Sequence, residues 1–262
     1  MDRKEFFKRL VVDLPLYSTF NSLRDALFNA LAVEPRKPML REVLDNIIAE
    51  KALNQTMDEC QMEMIKTFVK PEDEYRLYTV STSCNIDLLY IVNMSATSVP
   101  KEGVIASDMA MAAHQMVIGT VPESGGPRTD FSVICLAEKH ELMTPAKYPK
   151  IIKHELVHAA ITHIAADHSD IREFVRTAKM IRNGLSCIEA DDNLPVPVEY
   201  EFIELVCNIV PYLSLPVKKE NGIDKFMEDA VSVFGYDEDD PLLAEGIAII
   251  TEVKQEAESA AE

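Results

Sequence analysis

His154-Glu155-Leu156-Val157-His158 sets two imidazoles four residues apart, with a carboxylate directly after the first. On a helix, residues four apart share a face, about 40° from one another, so both rings can reach a single metal ion. Glu155 then stands roughly 60–100° round the helix from the pair, close enough to act on a water held there. Neutral imidazoles suit zinc, an open coordination position admits water, and an adjacent carboxylate can take the proton. The chemistry such a set performs is hydrolysis. Shuffling this composition produces the five-residue pattern in about one chain in a hundred, so the surroundings have to add weight.

The surroundings are apolar. Ile151, Ile152, Val157, Ala159, Ala160, Ile161, Ile164 and Ala165 lie on nearly every side of the motif, which predicts a buried central helix. Two histidines and a glutamate at one level of such a helix are costly unless a metal or a tight network satisfies them. The other histidines fit bland roles better. His140 is followed four residues later by Thr144, His114 falls in an expected strand, and His163 lies about 180° round the helix from His154. His168 stands at the helix end, where a cation complements the dipole.

The elements that must hold this motif follow from the rest of the chain. Residues 1–70 read mainly as helix: Leu23 to Leu31, then Leu40, Val43, Leu44, Ile47 and Ile48, then Met57, Cys60, Met64, Ile65 and Phe68 at helical spacing. From Tyr75 the period changes. Tyr75 to Val80 and Ile86 to Asn93 predict paired strands, and His114 to Val121 with Asp130 to Ala137 a second hairpin around Pro-Glu-Ser-Gly-Gly-Pro-Arg. Gly103 to Ala113 reads as helical. After the central helix comes another with a stop at Asn183-Gly184, then a loop. Pro195 and Pro197 lead into a helix from Val198 to about Val210.

The chain has 262 residues and a formal net charge of −18, which argues against a nucleic-acid phosphate backbone or an anionic membrane as the partner. Cys60, Cys84, Cys135, Cys187 and Cys207 form no C-x-x-C pair, and an odd number does not suit a disulfide framework, so they read as reduced. The first fourteen residues are broken by seven charged side chains, and no run is long and apolar enough to span a bilayer. A cytoplasmic location is the expectation.

Two histidines need a third protein ligand. A histidine six residues after His158, as in H-E-x-x-H-x-x-G-x-x-H, would fall at Ile164, so that pattern is excluded. The nearest supply of carboxylates is the helix Val198-Glu199-Tyr200-Glu201-Phe202-Ile203-Glu204-Leu205-Val206-Cys207-Asn208. Over Tyr148 to Pro211 the chain resembles the gluzincins, zinc metallopeptidases in which H-E-x-x-H is followed by a glutamate ligand on a later helix. In several of those families the ligand precedes a small residue at +3 and Asp or Asn at +4, and Glu204, Cys207 and Asn208 fit that wording. Glu201 and Glu199 fit less well but stay open. Phe202, Leu205, Val206, Ile209 and Val210 form one apolar face, while Glu201, Glu204 and Asn208 share the opposite side.

The resemblance implies an α+β, zincin-like metallopeptidase domain with a small, mostly antiparallel sheet and a central HExxH helix. The expected division is a helical region at 1–70 and the metallopeptidase domain at 71–262, or one continuous domain. It implies zinc held by His154, His158 and Glu204, Glu155 as general base, and a peptide or protein substrate. Tyr200, Tyr212 and His168 are the candidates for stabilising an oxyanion. The competing expectation is a non-catalytic scaffold or binding module with a structural metal, which Cys187 or Cys207 would complete as a fourth ligand.

Overall fold

The computed structural model describes residues 1–10, 75–81, 87–100, 109–117, 131–144, 147–186, 198–213 and 222–259. The fold is α+β and mostly helical. Its strands are β1 (Tyr75–Ser81), β2 (Asp87–Asn93), β3 (Val99–Pro100), β4 (Met109–Ala110), β5 (Ala112–Val117) and β6 (Phe131–Ala137). Both expected hairpin pairings are present and antiparallel, with Tyr75 opposite Asn93 and Ala112 opposite Leu136. They join into one sheet, in the order β1-β2-β6-β5, because β2 and β6 run parallel with Asp87 beside Phe131. Strand β6 is paired on both edges, and Ser132 through Ala137 are buried. β3 and β4 form a separate two-stranded ladder.

The helix expected over Gly103 to Ala113 is corrected in its described part, where Met109–Ala110 and Ala112–Val117 are strands. Met and Ala are good helix formers, but Ala112 and Ala113 are buried in a ladder with β6, and that pairing overrides local preference. Strand β2 stops where the Asn93 side-chain oxygen accepts the N–H groups of Ser95 and Ala96, a turn that competes with the ladder.

Among the described residues the α-helices are α1 (Arg3–Lys8), α2 (Tyr148–Asp167), α3 (Ser169–Ser186), α4 (Val198–Ile209), α5 (Ile223–Asp229) and α6 (Pro241–Ser259). Asp2 caps α1, its carboxylate accepting the Glu5 N–H at 2.8 Å. α3 continues two residues past the stop expected at Gly184, a residue that weakens a helix without ending it. α4 begins at Val198 as expected and tightens into a 3₁₀ turn over Val210–Tyr212. The chain divides into two units, residues 21–159 and residues 1–20 with 160–262, and the dividing point falls inside α2. Among the described residues no helix is long and apolar enough to cross a membrane. The helices expected at 23–31, 40–48 and 57–68 lie outside the described residues.

Candidate metal centre

α2 opens behind Thr144, whose side-chain oxygen accepts the Lys147 N–H, and Pro149 stands in its first turn, where a missing N–H costs nothing. Ile151, Ile152, Glu155, Leu156, Val157, Ala159, Ala160, Ile161 and Ala165 are buried, and together they lie on every side of the helix. The motif is therefore held by a helix with almost no solvated side. One turn apart, the Nε2 atoms of His154 and His158 come within 3.0 Å, with the rings edge to face at 71°.

Among the described residues one group of His, Cys, Asp or Glu can hold a metal ion, and it is His154, His158 and Glu204. Their ligand atoms all lie within 4.8 Å of one another, and all three side chains are half-buried. Two nitrogens bound to zinc at tetrahedral angles stand about 3.3 Å apart, so the pair needs only a slight opening. Two imidazoles and one carboxylate are a donor set that zinc accepts with a position left over. No fourth His, Cys, Asp or Glu among the described residues joins them. Cys207 is buried on α4 and outside the group, whereas Cys187 lies outside the described residues.

Glu155 is not part of the group either. It is 7 % exposed, and its charge acts on the buried Cys135 thiol of β6. Burial first, and the Glu155 carboxylate second, push that thiol far above its ordinary range and keep it protonated. Neither Cys135 nor Cys207 is part of a disulfide, in keeping with the reduced state read from the sequence.

α4 supplies the third member of the group by turning its apolar side inward. Phe202, Ile203, Leu205, Val206 and Ile209 are buried, which leaves Glu204 on the half-buried side. Gly246 of α6 lets another helix approach: a β-carbon there would lie 2.5 Å from Leu205 Cδ2. Glu199 and Glu201 are not brought to the histidines. Glu199 lies 3.5 Å from the Arg3 guanidinium, and the Glu201 carboxyl sits above its usual range through burial, then repulsion from Asp240, against the pull of Arg3.

Of the three expected oxyanion partners, Tyr212 is committed elsewhere, donating its proton to Asp229 at 2.8 Å. Tyr200 is half-buried on α4, and His168 marks the junction of α2 and α3. The sequence did not point to Tyr236. Its oxygen accepts Asn208 Nδ2 at 2.9 Å, and the phenol is held protonated well above its ordinary range. Burial is the main cause, and the charges of Glu204, Cys207 and Asp240 add to it against the Asn208 hydrogen bond. The residue follows Gly235, which ends a π-helical turn at φ 79°, and nothing in a periodic pattern marks such a position. The chain matches no protein-family model, no curated protein and no solved structure.

Proposed function

We propose that the chain is a gluzincin-type, zincin-like peptidase that cleaves peptide bonds with zinc held by His154, His158 and Glu204. The observation that carries the reading is the convergence of those three side chains with no fourth ligand among the described residues. A closed structural site has four protein ligands, whereas a hydrolytic site keeps a position for water or substrate. Zinc at such a site supplies Lewis acidity, polarising a carbonyl and acidifying water. Glu155 takes the proton from the attacking water and returns it to the leaving amine, and its burial keeps that transfer out of bulk solvent. Tyr236 enters as a neutral phenol beside Glu204 whose oxygen is already occupied by Asn208, leaving its own proton for a developing oxyanion.

Zinc content and cleavage of a peptide mixture, measured for the wild type and Glu155→Gln, test the proposal. Both proteins are expected to hold one zinc, and the variant to lose about 10²–10⁴-fold in rate. A variant that keeps its zinc and its full activity removes Glu155 as the base. A wild type that holds zinc but cleaves nothing moves the reading to a metal-stabilised scaffold.

A further inference from the structure

Resting on the metal centre just described, we propose that Arg3 and helix α1 are positioning elements for Glu204. Arg3 holds Glu199, a rival carboxylate of α4, away from the metal and makes metal affinity depend on salt. One guanidinium nitrogen of Arg3 lies 3.5 Å from Glu199 of α4 and another 2.6 Å from Glu245 of α6. The same group stands over the Phe202 ring, 5.7 Å from its centroid. Its charge also acts on Glu201. A single cation thus pairs with Glu199, one of the carboxylates that could compete with Glu204, and ties α4 to α6.

The apolar half of the same contact is Phe6. Its ring stacks on Phe174 of α3 at 4.4 Å and meets Phe202 edge-on at 6.5 Å, two residues before Glu204. The remaining cations of this segment follow the same pattern. Lys4 bonds Glu252 and Glu256, Lys8 bonds Glu256, and Arg9 lies 3.4 Å from Asp170. In a chain of net charge −18, this basic segment is fastened to α3, α4 and α6 by carboxylates at its rim and phenylalanines at its centre. Pairs at the rim are exposed enough for salt to screen them, since the Debye length falls from about 8 Å at physiological ionic strength to about 3 Å at 1 M. The Phe6 contact is not screened.

The test is a cobalt(II) titration of the full chain at 0.05 M and 1 M salt (about 14 Å and about 3 Å screening), following both affinity and the visible absorption band. Wild type, Arg3→Ala, Arg3→Lys and Glu204→Gln are compared. Arg3→Ala is expected to weaken cobalt binding about three- to tenfold at low salt and to shift the band, as a competing carboxylate enters the coordination sphere. Arg3→Lys restores most of the affinity, and the ratio of affinities between the two salts is smaller in Arg3→Ala than in wild type. A role confined to stability lowers the melting temperature and leaves the band and the salt ratio unchanged; that result overturns the proposal. Should Arg3→Ala fail to fold, Arg3→Gln removes the same charge while keeping most of the side chain and is read the same way. If Glu204→Gln binds cobalt as the wild type does, the metal centre itself is wrong and the proposal falls with it. Unchanged affinity in Arg3→Ala with loss in Glu204→Gln overturns the positioning role alone.

Discussion

Helices α2 and α4 both carry members of the metal group, but they place them by different means. In α2 the two histidines are one turn apart, so their 3.0 Å approach follows from helix geometry once the apolar residues around them have buried the helix. α4 carries one glutamate among three, and its register is set by contacts distant in sequence. These are Phe202 with Phe6 and Arg3, Leu205 with Gly246, and Asn208 with Tyr236. The lesson is that one helix brings two imidazoles together through its own backbone, while the other presents its carboxylate only as well as its neighbours hold it.

Removing one ligand from each helix exposes the difference most strongly. His158→Ala destroys the chelating pair and is expected to lower zinc affinity on the order of a thousandfold, a share of the total binding energy of such sites. Glu204→Gln leaves the preorganised pair intact and is expected to cost about a hundredfold. Competition titrations against a chromophoric chelator measure both. Equal losses would mean that the pair is no better organised than the glutamate.

The same difference decided what could be read from the sequence. The buried α2, the strands of both hairpins and the start of α4 depend on periods of 3.6 and 2 that short windows contain, and they are present. The parallel joining of β2 to β6 depends on a crossover, and no local signal carries it. Ala112 and Ala113 show the converse, a helix-favouring run captured by the edge of β6. At the metal group, spacing alone gave His154 and His158. Glu204 stood beside Glu199 and Glu201 until the fold brought its carboxylate within 4.8 Å of the histidine ligand atoms, while Glu199 lies against Arg3, 196 positions away in sequence. Tyr236 sits behind a left-handed glycine and was not legible at all.

Packing variants on α4 sharpen the comparison at the next level. Phe202 is 1 % exposed and lies against Phe6 and Arg3, so Phe202→Ala is expected to cost about 3 kcal/mol in urea unfolding. Metal affinity should weaken alongside it. Gly246→Ala forces a β-carbon against the far end of Leu205, a side chain able to give, and is expected to cost about 1–2 kcal/mol. Leu205→Val in the same chain should recover part of that loss, and a double-mutant cycle on melting temperature measures the recovery. Additive losses would show that the close approach of α6 does not set α4.

The smallest effect separates Glu201 from Glu204. The Glu201 carboxyl is raised in the fold, first by burial and then by Asp240, so its protonated form is the one the fold favours. Stability from a raised carboxyl is complete below the unfolded pKa and is lost as pH rises through the folded one. At neutral pH an ionised Glu201 therefore opposes folding, and Arg3 offsets only part of that cost. Glu201→Gln is expected to gain up to about 0.5 kcal/mol at pH 7. The gain should vanish on acidification below the carboxylate range, while zinc affinity stays at the wild-type value. Melting curves at the two pH values check the sign, and a chelator titration checks the metal. A Glu201→Gln protein that is less stable at neutral pH, or binds zinc more weakly, would place this carboxylate with Glu204 at the metal and remove the distinction between the tethered side of α4 and its ligand side.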